Sequence, residues 1–142
     1  RKLKAFAHHL GEHYHDDLAA FLSQEAAPLR QELLSIYGIG EETADDILLY
    51  AACLPSFVID TYTRRIVRRL GVAPQKDSYG AFQSLFHENL YPDVNLFNEY
   101  HALLDRHAKE TCRKSPLCDS CCLMELCPTG KGAVKDGVVA QP

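Results

Sequence analysis

The densest group of side chains able to do chemistry is a run of cysteines towards the carboxyl end of the chain. Five of the six cysteines fall within sixteen residues: Cys112, Cys118, Cys121, Cys122 and Cys127. Nothing marks the chain as secreted, and intracellular thiols stay reduced, so we expect a metal centre rather than disulfides. With Cys122 as the spare, the spacing Cys-x5-Cys-x2-Cys-x5-Cys forms a compact loop of the kind that holds a cubane iron–sulfur cluster.

Zinc bound by cysteines is the competing interpretation of the same residues. Structural zinc sites usually pair two Cys-x2–4-Cys hooks across a longer gap, and this spacing differs from that pattern. The spacing alone also leaves open whether Cys121 or Cys122 supplies the third thiolate. Cys53 stands apart from the group, on a predicted helix, and is expected to lie in the core.

A second candidate site is a pair of glycines, Gly38 and Gly40, between two predicted helices. Pro28–Tyr37 has a helical pattern, and Gly38 can take the left-handed conformation that ends such a helix. Apolar residues at helical spacing predict a second helix from Glu41 that stops before Pro55: Ala44, Ile47, Leu48 and Ala51. Uncovered peptide N–H groups at such a hairpin suit a phosphate, although the same glycines also serve as a simple tight connection. Acids that follow the glycines would repel a phosphate unless they point elsewhere: Glu41, Glu42, Asp45 and Asp46.

The third candidate is Asp60, which follows a short apolar passage and precedes the helical pattern of Thr61–Leu70. An aspartate in this place is expected to cap the helix, and capping also fixes its carboxylate. A fixed acid is a candidate catalytic group. The helix carries arginines that fit either a solvated face or phosphate contacts: Arg64, Arg65, Arg68 and Arg69.

The elements that would position these residues are helices. Apolar spacing is helical along the 142 residues, so the sequence predicts an all-α fold, and no apolar run is long enough to cross a membrane. A formal charge of −4 argues against a nucleic-acid binder that works by bulk attraction, so such contacts must come from local basic patches. A long helix before the first clustered cysteine is expected to pack through one inner face: Leu96, Phe97, Tyr100, Leu103, Leu104 and His107. His107 is assigned to core packing.

The hairpin and the aspartate occur in this order: Leu33-Leu34-x-x-Tyr37-Gly38-Ile39-Gly40-x-x-Thr43-Ala44, then Val58-Ile59-Asp60-Thr61. The order resembles the helix-hairpin-helix, Gly/Pro-rich loop and aspartate signature of the endonuclease III superfamily of DNA base-excision glycosylases. The resemblance covers the chain to about Pro128. It implies the helix-hairpin-helix glycosylase fold, with an incomplete N-terminal lobe and a C-terminal iron–sulfur loop. It further implies that Asp60 is the catalytic acid and that Gly38, Ile39 and Gly40 bind DNA.

In the resembling family the cysteine loop holds a four-iron four-sulfur (4Fe–4S) cluster, with a first gap one residue longer than in this chain. The resemblance favours Cys121 over Cys122. The implied ligands are therefore Cys112, Cys118, Cys121 and Cys127. Because the loop touches the DNA backbone in that family, Arg113 and Lys114 between the first two ligands are implied DNA contacts.

The resemblance breaks at Glu42. Bifunctional members of the family carry a lysine two residues after the second hairpin glycine, where this chain has Glu42, and no lysine occurs between Lys4 and Lys76. The Schiff-base route is therefore expected to be closed, which implies a monofunctional enzyme that hydrolyses the N-glycosidic bond of a damaged, for example alkylated, base. Glu42 joins Asp60 as a candidate catalytic residue, with a role in base recognition as the hypothesis.

Three parts are predicted along the chain. Residues 1–60 are the remainder of a helical barrel lobe that includes the helix-hairpin-helix unit at 28–54. Residues 61–128 form a helical iron–sulfur domain, and residues 129–142 form a flexible tail. Because the chain opens with Arg1 rather than Met, we expect it to be part of a longer protein.

The implied partner is double-stranded DNA that contains a damaged base, with Arg64 and Arg65 as further candidate contacts. The protein is expected to be a monomer in the cytoplasm of a bacterium or archaeon, associated with the nucleoid and not with a membrane. Other functions stay open: a bifunctional glycosylase and lyase, a non-catalytic DNA-binding iron–sulfur module, or a zinc-stapled helical protein unconnected with DNA.

Overall fold

The computed structural model describes residues 1–135 of the chain. Within that range the regular structure is helical and contains no strand, which confirms the predicted all-α fold. Its α-helices are α1 (Lys2–Tyr14), α2 (Leu18–Leu22), α3 (Ala26–Ser35), α4 (Glu41–Asp46), α5 (Thr61–Arg69), α6 (Tyr79–His87), α7 (Val94–Glu110) and α8 (Pro128–Lys135). Among the helices of this range, none combines the length and the apolar composition needed to cross a bilayer.

The helices belong to two compact units. The first comprises Arg1–Val58 and Phe86–Asn98, and the second comprises Ile59–Leu85 and, within the described part of the chain, residues 99–135. Each unit is thus built from two separate stretches, whereas the ranges 1–60 and 61–128 inferred from the sequence are continuous. As functional domains those ranges stay predictions.

The core of the first unit forms from the apolar faces of its short helices. Tyr14, at the end of α1, meets the buried Phe21 of α2 edge to face, with ring centroids 5.1 Å apart. The buried set continues through α3 and the helix after the hairpin: Leu29, Leu33, Ile36, Ala44 and Leu48. Burial of one large apolar side chain contributes about 1.5–3 kcal/mol, so this core holds the two helices that flank the hairpin.

The predicted helix-hairpin-helix is present. Helix α3 ends at Ser35, and Gly38 takes the left-handed conformation that the sequence predicted, with φ of 87°. Gly40 then precedes the first residue of α4, Glu41. The connection between the helices is therefore short, and Ile39 within it packs against the core.

The second hairpin helix departs from regular α geometry before it ends. Residues Ile47–Ala51 form a π-helical turn, and Cys53 takes a left-handed conformation with φ of 54°. The Leu54 N–H closes the end by donating to the Leu48 carbonyl at 2.8 Å. The prediction that Cys53 lies in the core is wrong, because this terminating residue is exposed.

Helix α7 buries a narrower face than the sequence predicted. Phe97, Leu104 and Ala108 are buried, and they fall on one helical stripe that also includes His101. Three residues predicted to face inwards are instead exposed: Leu96, Tyr100 and Leu103. Each lies one position before a residue of the stripe, on its border, so the apolar pattern overestimated the width of the buried face.

The chain continues as a helix where a flexible tail was expected. Helix α8 spans Pro128–Lys135 and so covers the first seven residues of the range 129–142 assigned to that tail. Gly130 and Gly132 lower the intrinsic helix propensity, which hid the helix from the sequence analysis. Tertiary contact offsets this weakness, since the Thr129 hydroxyl donates to the Arg69 carbonyl at 3.0 Å. The tail prediction for residues 136–142 lies outside the described residues.

Candidate active site and cysteine loop

Asp60 is fixed at the amino end of α5. Val58 and Ile59 before it are buried, and the Ile59 N–H donates to the Tyr79 hydroxyl at 3.2 Å. Asp60 Oδ1 accepts a hydrogen bond from the Thr63 N–H at 2.6 Å. This is the helix cap that the sequence predicted, and the capping role of Asp60 is confirmed.

The other carboxylate oxygen of Asp60 faces His101, a residue that the sequence analysis did not single out. His101 Nε2 lies 3.6 Å from Asp60 Oδ2, and the two side chains are 15% and 18% exposed. A signal was present in the sequence, because His101 is four residues after Phe97 and three before Leu104 on one helical face. A polar ring on a buried face requires a polar partner.

The environment of Asp60 keeps it ionised. Burial acts to raise the pKa of this carboxyl, but the imidazole of His101 beside it and hydrogen bonding by Thr63 lower the pKa to about 2. The group therefore carries a negative charge across the physiological pH range. A carboxylate with so low a pKa is suited to stabilising positive charge and poorly suited to accepting a proton.

Helix α5 is tied to the cysteine loop by two of its arginines, Arg65 and Arg69, which we call the arginine clamp. Arg65 donates to the carbonyls of Ala108 and Cys112 at 3.0 and 2.9 Å. Arg69 reaches successive carbonyls at 3.2, 2.6 and 2.9 Å: those of Cys112, Arg113 and Lys114. The helix that begins at Asp60 thus fixes the start of the loop with its last turns.

The remaining two arginines of α5 also have partners inside the protein. Arg64 and Arg68 donate to Asp77 Oδ1 at 3.1 and 2.6 Å, and both guanidinium groups lie over the ring of Phe82. Asp77 is 67% exposed, and an exposed ion pair contributes about 0–1 kcal/mol. A phosphate could replace Asp77 at little cost. That Arg64 and Arg65 bind DNA stays a prediction.

Four cysteines of the loop line one cavity: Cys112, Cys118, Cys121 and Cys127. Cys122 is exposed and is not part of this lining. Two N–H groups are directed at sulfur, from Arg69 to Cys112 Sγ at 3.2 Å and from the Gly130 backbone to Cys127 Sγ at 3.4 Å. N–H donors around thiolates are typical of cysteines that ligate a metal.

The geometry of the loop differs from that of a mononuclear metal site. Across residues 1–135, no group of three His, Cys, Asp or Glu side chains is arranged to hold a metal ion. The four cysteines nonetheless line one cavity, where burial and the charges of Cys121, Cys127 and Cys112 raise the pKa of the Cys118 thiol. Zinc needs its sulfurs about 2.3 Å from one centre, whereas a cubane cluster binds each thiolate at a separate iron. The arrangement favours a cluster, which stays a prediction.

His107 is not the core residue that the sequence predicted. It is half-buried, and its Nε2 lies 3.7 Å from Cys121 Sγ. Its carbonyl accepts a hydrogen bond from the Cys112 N–H at 2.7 Å. The last turns of α7 contact the cysteine loop, so an inward position there meets sulfur rather than apolar side chains.

The hairpin presents an open backbone at Gly40. Its φ of −98° is accessible to any residue, and a Cβ built on it would meet no atom within 4 Å. Neither conformation nor internal packing therefore requires glycine at this position, which leaves room for a ligand to approach the backbone. Glu42 is exposed in the first turn of α4. The roles of Gly38, Ile39, Gly40 and Glu42 in binding or catalysis stay predictions.

An ion pair behind the hairpin was missed by the sequence analysis. Asp45 is fully buried and accepts two hydrogen bonds from Arg30, at 2.8 and 2.9 Å, and one from the Ser56 hydroxyl at 2.6 Å. Asp45 thus points into the first unit and its charge is balanced there. The sequence had suggested that an acid after the glycines could repel a phosphate. Asp45 does not, because its side chain points away from the hairpin surface.

Comparison with known proteins identifies DNA repair proteins as relatives of this chain. No protein-family model matches the sequence. The chain is 44% identical over 128 residues to a protein of Methanocaldococcus jannaschii named as a candidate DNA repair glycosylase, a match over 89% of the chain and 58% of that protein. It is 33% identical over 113 residues to endonuclease III of Sulfolobus acidocaldarius, over 79% of the chain and 50% of that enzyme. The chain therefore spans about half the length of these relatives.

Two solved structures share the fold. A non-covalent endonuclease III–DNA complex aligns with a TM-score of 0.68 and 27% identity, over 75% of the chain and 49% of that protein. A trapped endonuclease III–DNA covalent intermediate aligns with a TM-score of 0.77 and 24% identity, over 94% and 59%, and supports the fold alone. These alignments confirm the helix-hairpin-helix glycosylase fold. With this fold and these relatives, the chain belongs to the endonuclease III superfamily.

Proposed function

We propose that this chain supplies the catalytic carboxylate of a DNA glycosylase, which hydrolyses the N-glycosidic bond of a damaged base in double-stranded DNA. The observation that carries the proposal is the state of Asp60, held by the Thr63 amide beside His101 with a pKa of about 2. The names of the relatives, a candidate DNA repair glycosylase and endonuclease III, support this choice of reaction.

The charge of Asp60 suits the transition state of this reaction. Positive charge develops on the deoxyribose as the base departs, and a fixed carboxylate stabilises it electrostatically. Because the pKa of Asp60 is about 2, it is a poor base at neutral pH. We infer that Asp60 acts through its charge and by orienting the attacking water.

The low pKa of Asp60 also limits which bases the enzyme can release. Asp60 carries no proton near neutral pH, so it cannot protonate a departing base. An alkylated base with a positive ring leaves as a neutral molecule and needs no such proton. This supports alkylated bases as the proposed substrates, which the enzyme would turn out of the duplex before the bond breaks.

We propose that the enzyme is monofunctional. A lyase of this superfamily needs an amine to form a Schiff base, and this chain carries Glu42 at the corresponding place after the hairpin. Glu42 is exposed in the first turn of α4, directly after the hairpin glycines. We assign to it a part in recognising the damaged base.

The cysteine loop is proposed to hold a 4Fe–4S cluster through Cys112, Cys118, Cys121 and Cys127, the residues that line its cavity. When bound, the cluster supplies metal–thiolate bonds that fix the loop. Arg113 and Lys114 are exposed within the loop, and Arg69 binds their carbonyls. Their side chains and the open backbone at Gly40 are the proposed DNA contacts.

Base release by the full-length protein from a duplex with one alkylated base tests the role of Asp60. Asp60→Asn keeps a side chain able to cap α5 but removes the charge, so we expect release to fall by about 100-fold or more while DNA binding persists. Asp17→Asn is the matched control and should retain activity, because Asp17 is an exposed aspartate whose carboxylate caps α2.

Two outcomes of this experiment would count against the proposal. Unchanged release by Asp60→Asn would remove Asp60 from the mechanism. A covalent protein–DNA adduct trapped by borohydride in the wild-type reaction would show an amine nucleophile and overturn the monofunctional assignment.

A further inference from the structure

We propose that His101 is a positioning residue for Asp60: its imidazole holds the second carboxylate oxygen in place and keeps the carboxylate charged when DNA is bound. The inference rests on the proposed catalytic role of Asp60 and adds the group that sets its charge and orientation. It comes from the geometry of the pair, since the sequence analysis gave His101 no role.

The two oxygens of Asp60 have different partners. Oδ1 accepts the Thr63 N–H at 2.6 Å, and this bond satisfies the first turn of α5. Oδ2 is the oxygen left for chemistry, and His101 Nε2 lies 3.6 Å from it. That separation is slightly longer than an ordinary hydrogen bond, so the imidazole faces Oδ2 without a tight bond in this arrangement. A contact at each oxygen restricts rotation of the carboxylate plane.

His101 is delivered by the buried face of a long helix rather than by a loop. It shares the stripe of α7 with the buried Phe97, Leu104 and Ala108, and its side chain is 15% exposed. A helix held by such packing places a ring more accurately than a mobile loop does. The limited contact with water also makes the attraction between the two side chains stronger than at an exposed site.

Other polar groups around Asp60 are bonded elsewhere. Lys109 of α7 donates to Asp105 Oδ2 at 2.7 Å, and its pKa is raised by this hydrogen bond and, less strongly, by the charge of Asp60. The Tyr79 hydroxyl of α6 accepts the Ile59 N–H. Neither group takes the place of His101 at Oδ2.

The pairing of His101 with Asp60 becomes important when DNA is bound. Phosphates bring negative charge towards the site, and nearby negative charge favours protonation of a carboxylate. A partner that donates a proton to Oδ2, or carries positive charge itself, opposes this effect. His101 therefore preserves the ionised form of Asp60 in the complex, where the charge is required.

The test measures Asp60 directly and then measures activity, both in the full-length protein. Carboxyl carbon NMR of labelled aspartate gives the titration midpoint of Asp60, and base release from an alkylated duplex gives the acid limb of the pH profile. The variants are His101→Gln, which retains an amide donor without charge, and His101→Ala. His8→Gln is the matched control, because His8 is an exposed histidine of α1.

We expect the Asp60 midpoint to be about 2 in the wild type, to rise by at least about one pH unit in His101→Ala and to rise less in His101→Gln, which keeps a donor. The acid limb of base release should move upwards by the same amount, and His101→Ala should lose more activity at neutral pH than His101→Gln. His8→Gln should leave both measurements unchanged.

An ordinary or raised midpoint for Asp60 in the wild type would overturn the inference without any variant. So would an unchanged midpoint in a folded His101→Ala protein. If the midpoint moves as expected while Asp60→Asn releases bases normally, the pairing stands and the proposed function fails. The two proposals are thereby tested separately.

Discussion

At the scale of single residues, Asp60 combines a structural and a proposed catalytic role through its two oxygens. One oxygen caps α5, a contact worth about 1 kcal/mol to a helix, and the other faces His101. Asparagine preserves the first role and abolishes the charge, whereas alanine removes both. For this reason Asp60→Asn is the informative substitution, and loss of activity in Asp60→Ala alone would not separate chemistry from stability.

Gly40 offers a second test at this scale. Because its φ is −98° and a Cβ would meet nothing within 4 Å, Gly40→Val should fold normally. If DNA approaches the hairpin backbone there, the added side chain should weaken duplex binding by about tenfold or more, equivalent to about 1.4 kcal/mol. Fluorescence anisotropy with a labelled duplex measures this change.

Gly80→Val is the matched control for Gly40→Val, since a Cβ on Gly80 in the first turn of α6 also meets no atom within 4 Å. Its affinity should equal that of the wild type. Equal affinity in Gly40→Val as well would show that the hairpin backbone at this glycine is not a DNA contact.

At the scale of elements, the sequence predicted the local structure of individual segments. Apolar spacing identified the helices around the glycines, and the position of Asp60 before a helical pattern predicted its cap. Contacts between segments were not predicted, because apolar spacing and capping patterns describe only residues that are close together in the sequence. Arg69 binds the Lys114 carbonyl 45 residues away, and His101 meets Asp60 from another helix. Such pairings depend on how the elements pack.

The cysteine loop gives a prediction at the element scale. Cys121 lines the cavity with the other proposed ligands, and Cys122 is exposed outside it. Cys121→Ser should therefore lose most of the bound iron and sulfide and the visible absorbance of an iron–sulfur cluster, whereas Cys122→Ser should retain them.

Iron and sulfide analysis of anaerobically purified protein makes this comparison. Stoichiometric zinc without sulfide in the wild type would refute the cluster. The opposite result for the two serine variants would instead show that the loop uses Cys122 as its third ligand.

At the scale of the whole molecule, charge limits how the chain can bind DNA. Its formal charge is −4, so the proposed DNA binding would rely on a few local groups such as Arg113 and Lys114. Each phosphate contact contributes about −0.9 to the slope of log K against log salt concentration. We expect a shallow slope, about −2 to −4, for duplex binding by the full-length protein.

The double variant Arg113→Gln, Lys114→Gln should reduce the magnitude of this slope by about 2. Lys131→Gln, an exposed lysine of α8, is the control and should leave it unchanged. Binding isotherms at several salt concentrations give the slopes. Equal slopes in the double variant and the wild type would exclude both side chains as phosphate contacts.

The arginine clamp links the position of Asp60 to the state of the cysteine loop. A helix of nine residues, about 13 Å long, begins at the carboxylate and ends in the groups that hold the cysteine loop. An oxidant that disordered the cysteine loop would break the hydrogen bonds of Arg65 and Arg69 to its carbonyls. Helix α5 would then no longer be held at its carboxyl end. Oxidation of the cysteines would then leave Asp60 less firmly held, so under the proposed function it would lower activity without any chemical change at Asp60.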